Sequence, residues 1–110
     1  MTTVAALYNS LPSVDDADKK FINRDQIFSK IAPLLAAYDN KFGLCLVHRH
    51  CSLEDGEIMV ATGNVTQPER NVECYPERWL ATGEPYEFNR TPRPSPPREL
   101  FEEFQKMFML

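Results

Sequence analysis

Apolar residues recur at helical spacing in two stretches of this chain and at strand-like spacing between them. Phe21, Phe28, Ile31, Leu35, Tyr38 and Phe42 follow one another at steps of seven, three, four, three and four, the period of one helix face. Ile22, Ile27 and Leu34 widen the stripe. Residues 13–41 are therefore predicted to be helical. Ser13 suits the N-cap, and Asp15, Asp16 and Asp18 put negative charge where the helix dipole favours it. Pro33 has no N–H and crowds the turn before it, so a kink or a junction of two helices is expected near residues 30–32. Asn40 and Gly43 bracket the end, with Gly43 expected as the left-handed C-cap. The second stripe is Leu100, Phe101, Phe104, Met107 and Phe108, with Ser95 expected to cap that helix.

Between the stripes the pattern changes. Residues 44–51 run apolar then polar, residues 52–56 carry Asp55-Gly56, and residues 57–62 (EIMVAT) return as a strand. Glycine accepts positive φ at little cost, so a β-hairpin at about 44–62 is predicted. Ala61-Thr62-Gly63 recurs as Ala81-Thr82-Gly83, and Pro68-Glu69-Arg70 as Pro76-Glu77-Arg78. These echoes are too short for a solenoid repeat. Residues 75–80 are predicted as a helical turn starting at Pro76, and residues 86–89 (YEFN) as a short strand. Residues 91–98 (TPRPSPPR) hold four of the nine prolines and are excluded from a sheet interior. The pattern as a whole predicts a single α+β domain, 1–110. An N-terminal helical segment and a C-terminal helix pack on a small, mostly antiparallel sheet.

Composition narrows the function classes. At 110 residues the chain buries roughly 60–70% of its unfolded surface. A net charge of −4 argues against nucleic acid as a partner, since a binder of phosphates presents a basic face. No apolar run nears the ~20 residues that cross a bilayer, and the N-terminus lacks a basic n-region. No membrane association is expected. Cys45 and Cys51 stand six positions apart on the proposed strand, about 20 Å, too far to bridge. With Cys74 as the third, the economical expectation is reduced thiols in a cytoplasmic protein. The two sequons at Asn64 and Asn89 then meet no glycosyltransferase.

Both histidines of the chain lie in FGLCLVHRHC, residues 42–51. On a strand His48 and His50 project from one face, roughly 7 Å apart at Cα, and two imidazoles can share a transition metal. Glu54 and Glu57 are the nearest carboxylates to complete a shell; Asp55, Cys51 and Cys74 are further candidates. The plainer alternative is a hydrogen-bonded pair at a strand end, with Arg49 paired to Glu57 or a neighbouring acid. Cys–His catalysis by Cys51 and His50 is poorly placed, because strand neighbours face apart. Trp79, Tyr75, Tyr86 and Phe88 can line a ligand pocket or complete the core. Pro94-Ser95-Pro96-Pro97 meets the PxxP minimum of SH3-type recognition, so segment 91–98 is a candidate for a protein partner; Thr91 and Ser95 precede prolines, as proline-directed phosphorylation sites do. The alternative is a structural strap.

Gly43, His48-Arg49-His50, Glu54 and Gly63 resemble, loosely, the first motif of the cupin family. The resemblance implies a β-barrel in which two histidines and a glutamate hold a metal. The spacings from Gly43 to His48 and from Glu54 to Gly63 depart from the family's, and no histidine is left for its second motif. Residues 42–50, with Leu53, 56–60 and the Ala81-Thr82-Gly83 segment, are also similar to small uncharacterised proteins of filamentous fungi, over roughly residues 40–105. That resemblance implies a fungal origin and no activity. The sequence thus points to an intracellular binding or protein-interaction module, non-enzymatic. Two apolar stripes exceed what a small sheet covers, so a homodimer through residues 100–110 is expected. The alternative is a small metalloprotein or metal-dependent enzyme built on His48 and His50.

Overall fold

The computed structural model describes residues 3–108, with Phe108 through its backbone alone. It is an α+β fold: three N-terminal helices, a four-stranded sheet and a C-terminal helix. The first helix, α1 (Val4–Asn9), begins where Thr3 Oγ1 accepts the Ala6 N–H at 3.0 Å. Helix α2 (Val14–Lys20) begins as the sequence predicts, with Ser13 Oγ accepting the Asp16 N–H at 3.3 Å and Asp15 and Asp16 in the first turn. Helix α3 (Arg24–Ala37) follows after a break at residues 21–23.

The expected kink at residues 30–32 is thus displaced. Pro33 lies inside α3, where Ser29, four residues earlier, is exposed and water can take up its unbonded carbonyl. The break falls at Phe21 because Arg24 folds back on it. Its guanidinium donates to Phe21 O at 3.1 Å and to Asp18 Oδ1 at 2.7 Å, and lies over the Phe21 ring. Nor does Gly43 end the helix. Asp39 and Asn40 take φ of 59° and 54°, and the Asn40 N–H returns to Leu35 O at 3.0 Å. Asparagine and aspartate tolerate this left-handed conformation better than most residues.

The sheet contains β1 (Ile58–Thr62), β2 (Val65–Glu69), β3 (Tyr75–Trp79) and β4 (Pro85–Asn89), in the order β2-β1-β4-β3. Pairing is antiparallel for β1–β2 and β3–β4 and parallel for β1–β4. The hairpin expected at 44–62 is corrected: residues 58–62 form a strand, but their antiparallel partner is β2. Gly63 at φ 61° makes the two-residue turn that pairs Thr62 with Val65. Residues 44–51 form no strand of the sheet, because β1 already has β2 on one side and β4 on the other. Their backbone is held by the N-terminal helices instead. Arg49 N–H donates to Pro12 O at 2.9 Å and His50 N–H to Tyr8 Oη at 2.7 Å.

Residues 75–79 are likewise an edge strand rather than a helical turn. Pro76 has no N–H for a central ladder, yet an edge tolerates that, and a bulge between Pro76 and Trp79 absorbs the mismatch. The expected short strand at 86–89 is β4. Helix α4 (Arg98–Phe108) starts three residues beyond Ser95, so Ser95 is not its cap.

The core sits between α1 and the two central strands. Tyr8 and Met59 are fully buried, Tyr86 nearly so, with Ala5, Leu11 and Leu53 around them. Each such side chain contributes roughly 1.5–3 kcal/mol of transfer free energy. Asn9 fastens Leu53 over this core, its amide donating to Leu53 O at 2.8 Å and accepting the Leu53 N–H at 2.7 Å. A cupin-type double-stranded barrel is absent among the described residues, and His48 and His50 stand on no strand.

Candidate functional site

His48 and His50 do face one another. Their rings meet edge to face, with centroids 4.9 Å apart. His48 Nδ1 lies 3.1 Å from Leu46 O; a carbonyl only accepts, so Nδ1 carries the proton there. His50 Nε2 lies 3.6 Å from Glu87 Oε1. The carboxylates expected to join them are elsewhere engaged. Glu57 Oε1 accepts the Glu54 N–H at 2.7 Å, and Arg70 bridges Glu54 Oε2 at 3.1 Å and Asp55 O at 2.6 Å. Glu54 is largely in solvent. Among the described residues no group of three histidines, cysteines, aspartates or glutamates converges to hold a metal ion. Among the described residues Arg49 pairs with neither Glu57 nor another acid; its guanidinium donates to Leu11 O.

The carboxylate that does reach the pair, at His50, is Glu87, which no spacing from the histidines marks out. It is 7% exposed on β4, with Arg78 Nε of β3 3.3 Å from its second oxygen. Register makes this pair, since Arg78 stands opposite Glu87. One signal for it was present: ATGE, residues 81–84, is a turn sequence between two segments rich in β-formers. Gly83 takes φ 95° there, and its N–H donates to Leu80 O at 2.9 Å. Read as a hairpin, YPERW and PYEFN bring Arg78 and Glu87 together.

Around Arg78 lies a denser group. Cys45, itself exposed, has its Sγ 3.6 Å from Tyr86 Oη. Burial pushes the Tyr86 phenol well above its ordinary value, and Cys45 and Glu87 push it further. Burial also raises Tyr8, which His50's backbone bond partly offsets. For Arg78 burial opposes the charge, but Cys45, Glu87 and Tyr86 together hold its pKa above the ordinary value. Beyond it, Asn89 Nδ2 donates to Glu77 Oε1 at 3.1 Å, and Arg93 Nε lies 3.5 Å from the same oxygen. Of the other two thiols, Cys51 is exposed and Cys74 half-buried, its pKa raised by burial. None of the three is in a disulfide.

Cys45, Arg78 and Arg93 open onto one cleft of about 710 Å3. Ile31, Leu34 and Leu35 of α3 line one side and Leu100, Phe101 and Phe104 of α4 another. Glu77, Arg78 and Trp79 of β3 contribute a third wall, and Pro94 and Pro96 lie along it as a strap. Lys30 Nζ donates to Met107 O at 3.1 Å, tying α3 to α4. The interior is thus mainly aliphatic and aromatic. Its charged groups are Lys41, Arg78 and Arg93 against a single carboxylate, Glu77, in a chain of net charge −4. Of the four aromatics singled out in the sequence, Trp79 lines this cleft and Tyr86 belongs to the core. Compared with known proteins, the chain matches no family model, no curated protein and no solved structure.

Proposed function

We propose that the protein is a non-enzymatic binding module whose site is the cleft between α3, α4 and β3, and that its ligand is an apolar molecule with an anionic end. The cleft itself carries this reading. Its volume of about 710 Å3 falls within the roughly 300–1,000 Å3 of small-molecule sites. Leu34, Leu35 and Phe104 offer the apolar body of a ligand an aliphatic and aromatic wall. Lys41 gives its charged end a cation at the rim, while Arg78 and Arg93 are shared with Glu87 and Glu77. The unpaired thiols support placement in a reducing, cytoplasmic compartment.

Titration with a fluorescent fatty acid tests the reading. Saturable binding is expected, displaced by hexadecanoate at least about tenfold more effectively than by hexadecanol, a difference of about 1.4 kcal/mol. Lys41→Ala should narrow that gap. Absence of saturable binding to the folded chain would end the proposal.

Pairing of two copies through residues 100–110 is a separate proposal, resting on the half-buried Phe101, Phe104 and Met107 of α4; Met109 and Leu110 lie outside the described residues. Light scattering at high micromolar concentration tests it, and a monomer mass would remove it.

A further inference from the structure

We propose that residues 91–97 are a strap that opens and shuts the cleft, and that Arg93 passes from Glu77 to the ligand's carboxylate as the ligand seats. This rests on the cleft reading above and deepens it, naming the residue that recognises the anion and the contact that gates entry.

Arg93, Pro94 and Pro96 line the cleft, and residues 91–95 are all exposed. Among the described residues the strap makes no backbone–backbone hydrogen bond from residue 92 to residue 96. Pro92, Pro94, Pro96 and Pro97 have no N–H to give, and their rings fix φ. Such a segment moves as a stiff bar, with its freedom at the ends. Both ends are anchored. The Thr91 N–H donates to Asn89 Oδ1 at 2.8 Å, and the Leu100 N–H to Pro97 O at 3.0 Å, with Leu100 itself buried. Between them, among the described residues, the one polar tie is Arg93 Nε to Glu77 Oε1 at 3.5 Å.

The two halves of that latch differ. Glu77 is fixed: Asn89, 5% exposed, donates from Nδ2 to Glu77 Oε1 at 3.1 Å while its Oδ1 holds Thr91. One buried amide thus sets both the hinge and the latch. The Arg93 side chain is 48% exposed against 26% for Glu77, and an ion pair in that much water is weak. The Glu77 oxygen that Arg93 faces already accepts from Asn89, whereas a ligand carboxylate offers a guanidinium two free oxygens. Arg93 can therefore leave Glu77 without stranding it. Arg78 is less free to do so, because its partner Glu87 is buried.

Stopped-flow binding of the fluorescent fatty acid to the full chain tests the assignment, with hexadecanoate and hexadecanol as competitors. Glu77→Gln, which keeps an acceptor for Asn89, should associate about two- to fivefold faster, the range that a half-exposed ion pair commands. Arg93→Gln should associate faster too, yet hold hexadecanoate about two- to fivefold less tightly, with hexadecanol unchanged. Trp79, the single tryptophan, lines the cleft and reports on the strap without ligand: acrylamide should quench it more in both variants. Unchanged association and quenching in Glu77→Gln would overturn the latch. Equal losses for the acid and the alcohol in Arg93→Gln would overturn the hand-over, since a merely structural change moves both. A wild-type chain without saturable binding removes the cleft reading and the hand-over together, and quenching alone then decides the latch.

Discussion

Helix α1 and helix α3 divide their labour in inverse proportion to their length. Six residues of α1 supply Ala5 and Tyr8 to the core. Fourteen residues of α3 supply one buried side chain, Ile31, while Phe28 stays 42% exposed, and Ile22 just before the helix 81%. The short helix packs Ala5 and Tyr8 with Met59 of β1 and Tyr86 of β4. The long one turns Leu34 and Leu35 toward an open cleft. Packing density thus separates a region that holds the fold from a region free to accept a ligand. A stripe at helical spacing marks a face that will be covered, without saying whether protein or ligand covers it.

Substitutions across the two regions should separate sharply under urea. Met59→Ala, in the fully buried cluster beneath α1, should cost about 2–5 kcal/mol. A loss under about 1 kcal/mol would mean the core lies elsewhere. Asn9→Ala removes both bonds to Leu53 and strands a backbone pair, for about 1–3 kcal/mol; it should also raise amide exchange at residues 50–53.

Alkaline pH attacks the same region. Tyr8 and Tyr86 have folded pKa values above the ordinary 10.0, so the folded chain keeps protons that the unfolded chain releases. That stabilisation is complete below pH 10 and declines above it, by up to about 1.4 kcal/mol per pH unit for each proton retained. Urea midpoints at about pH 8 and about pH 11 should show the fall, and Tyr86→Phe should make it shallower; an unchanged slope in that variant would remove Tyr86 from the effect.

Ser13→Ala should cost about 1 kcal/mol through the lost α2 cap, read as a small drop in thermal midpoint. Phe28→Ser, on the exposed side of α3, should stay within about 0.5 kcal/mol. A larger loss there would show that α3 is covered in solution, by a second copy or by something else.

The same contrast explains what the sequence disclosed. Fold class, the Ser13 cap, α4 and the strand at 86–89 follow from local signals of period and capping. The break at Phe21 escaped because it depends on Arg24 folding backward, a contact no period encodes. The strand expected at 44–51 had the right composition, but both sides of β1, its expected partner, are taken by β2 and β4, which is a property of the whole sheet. Of the site, His48 and His50 were legible as a facing pair. Glu87, Arg78 and Cys45 were not, because strand register and a loop distant in sequence bring them together.

Pro68 and Pro76 sit in β2 and β3, the two outer strands of the sheet. Each interrupts the row of N–H donors along its strand, and β3 carries a bulge besides. An incoming strand therefore meets a broken template at both borders. Fibrillar growth by strand addition is discouraged at both, and assembly between copies is steered toward helix faces instead.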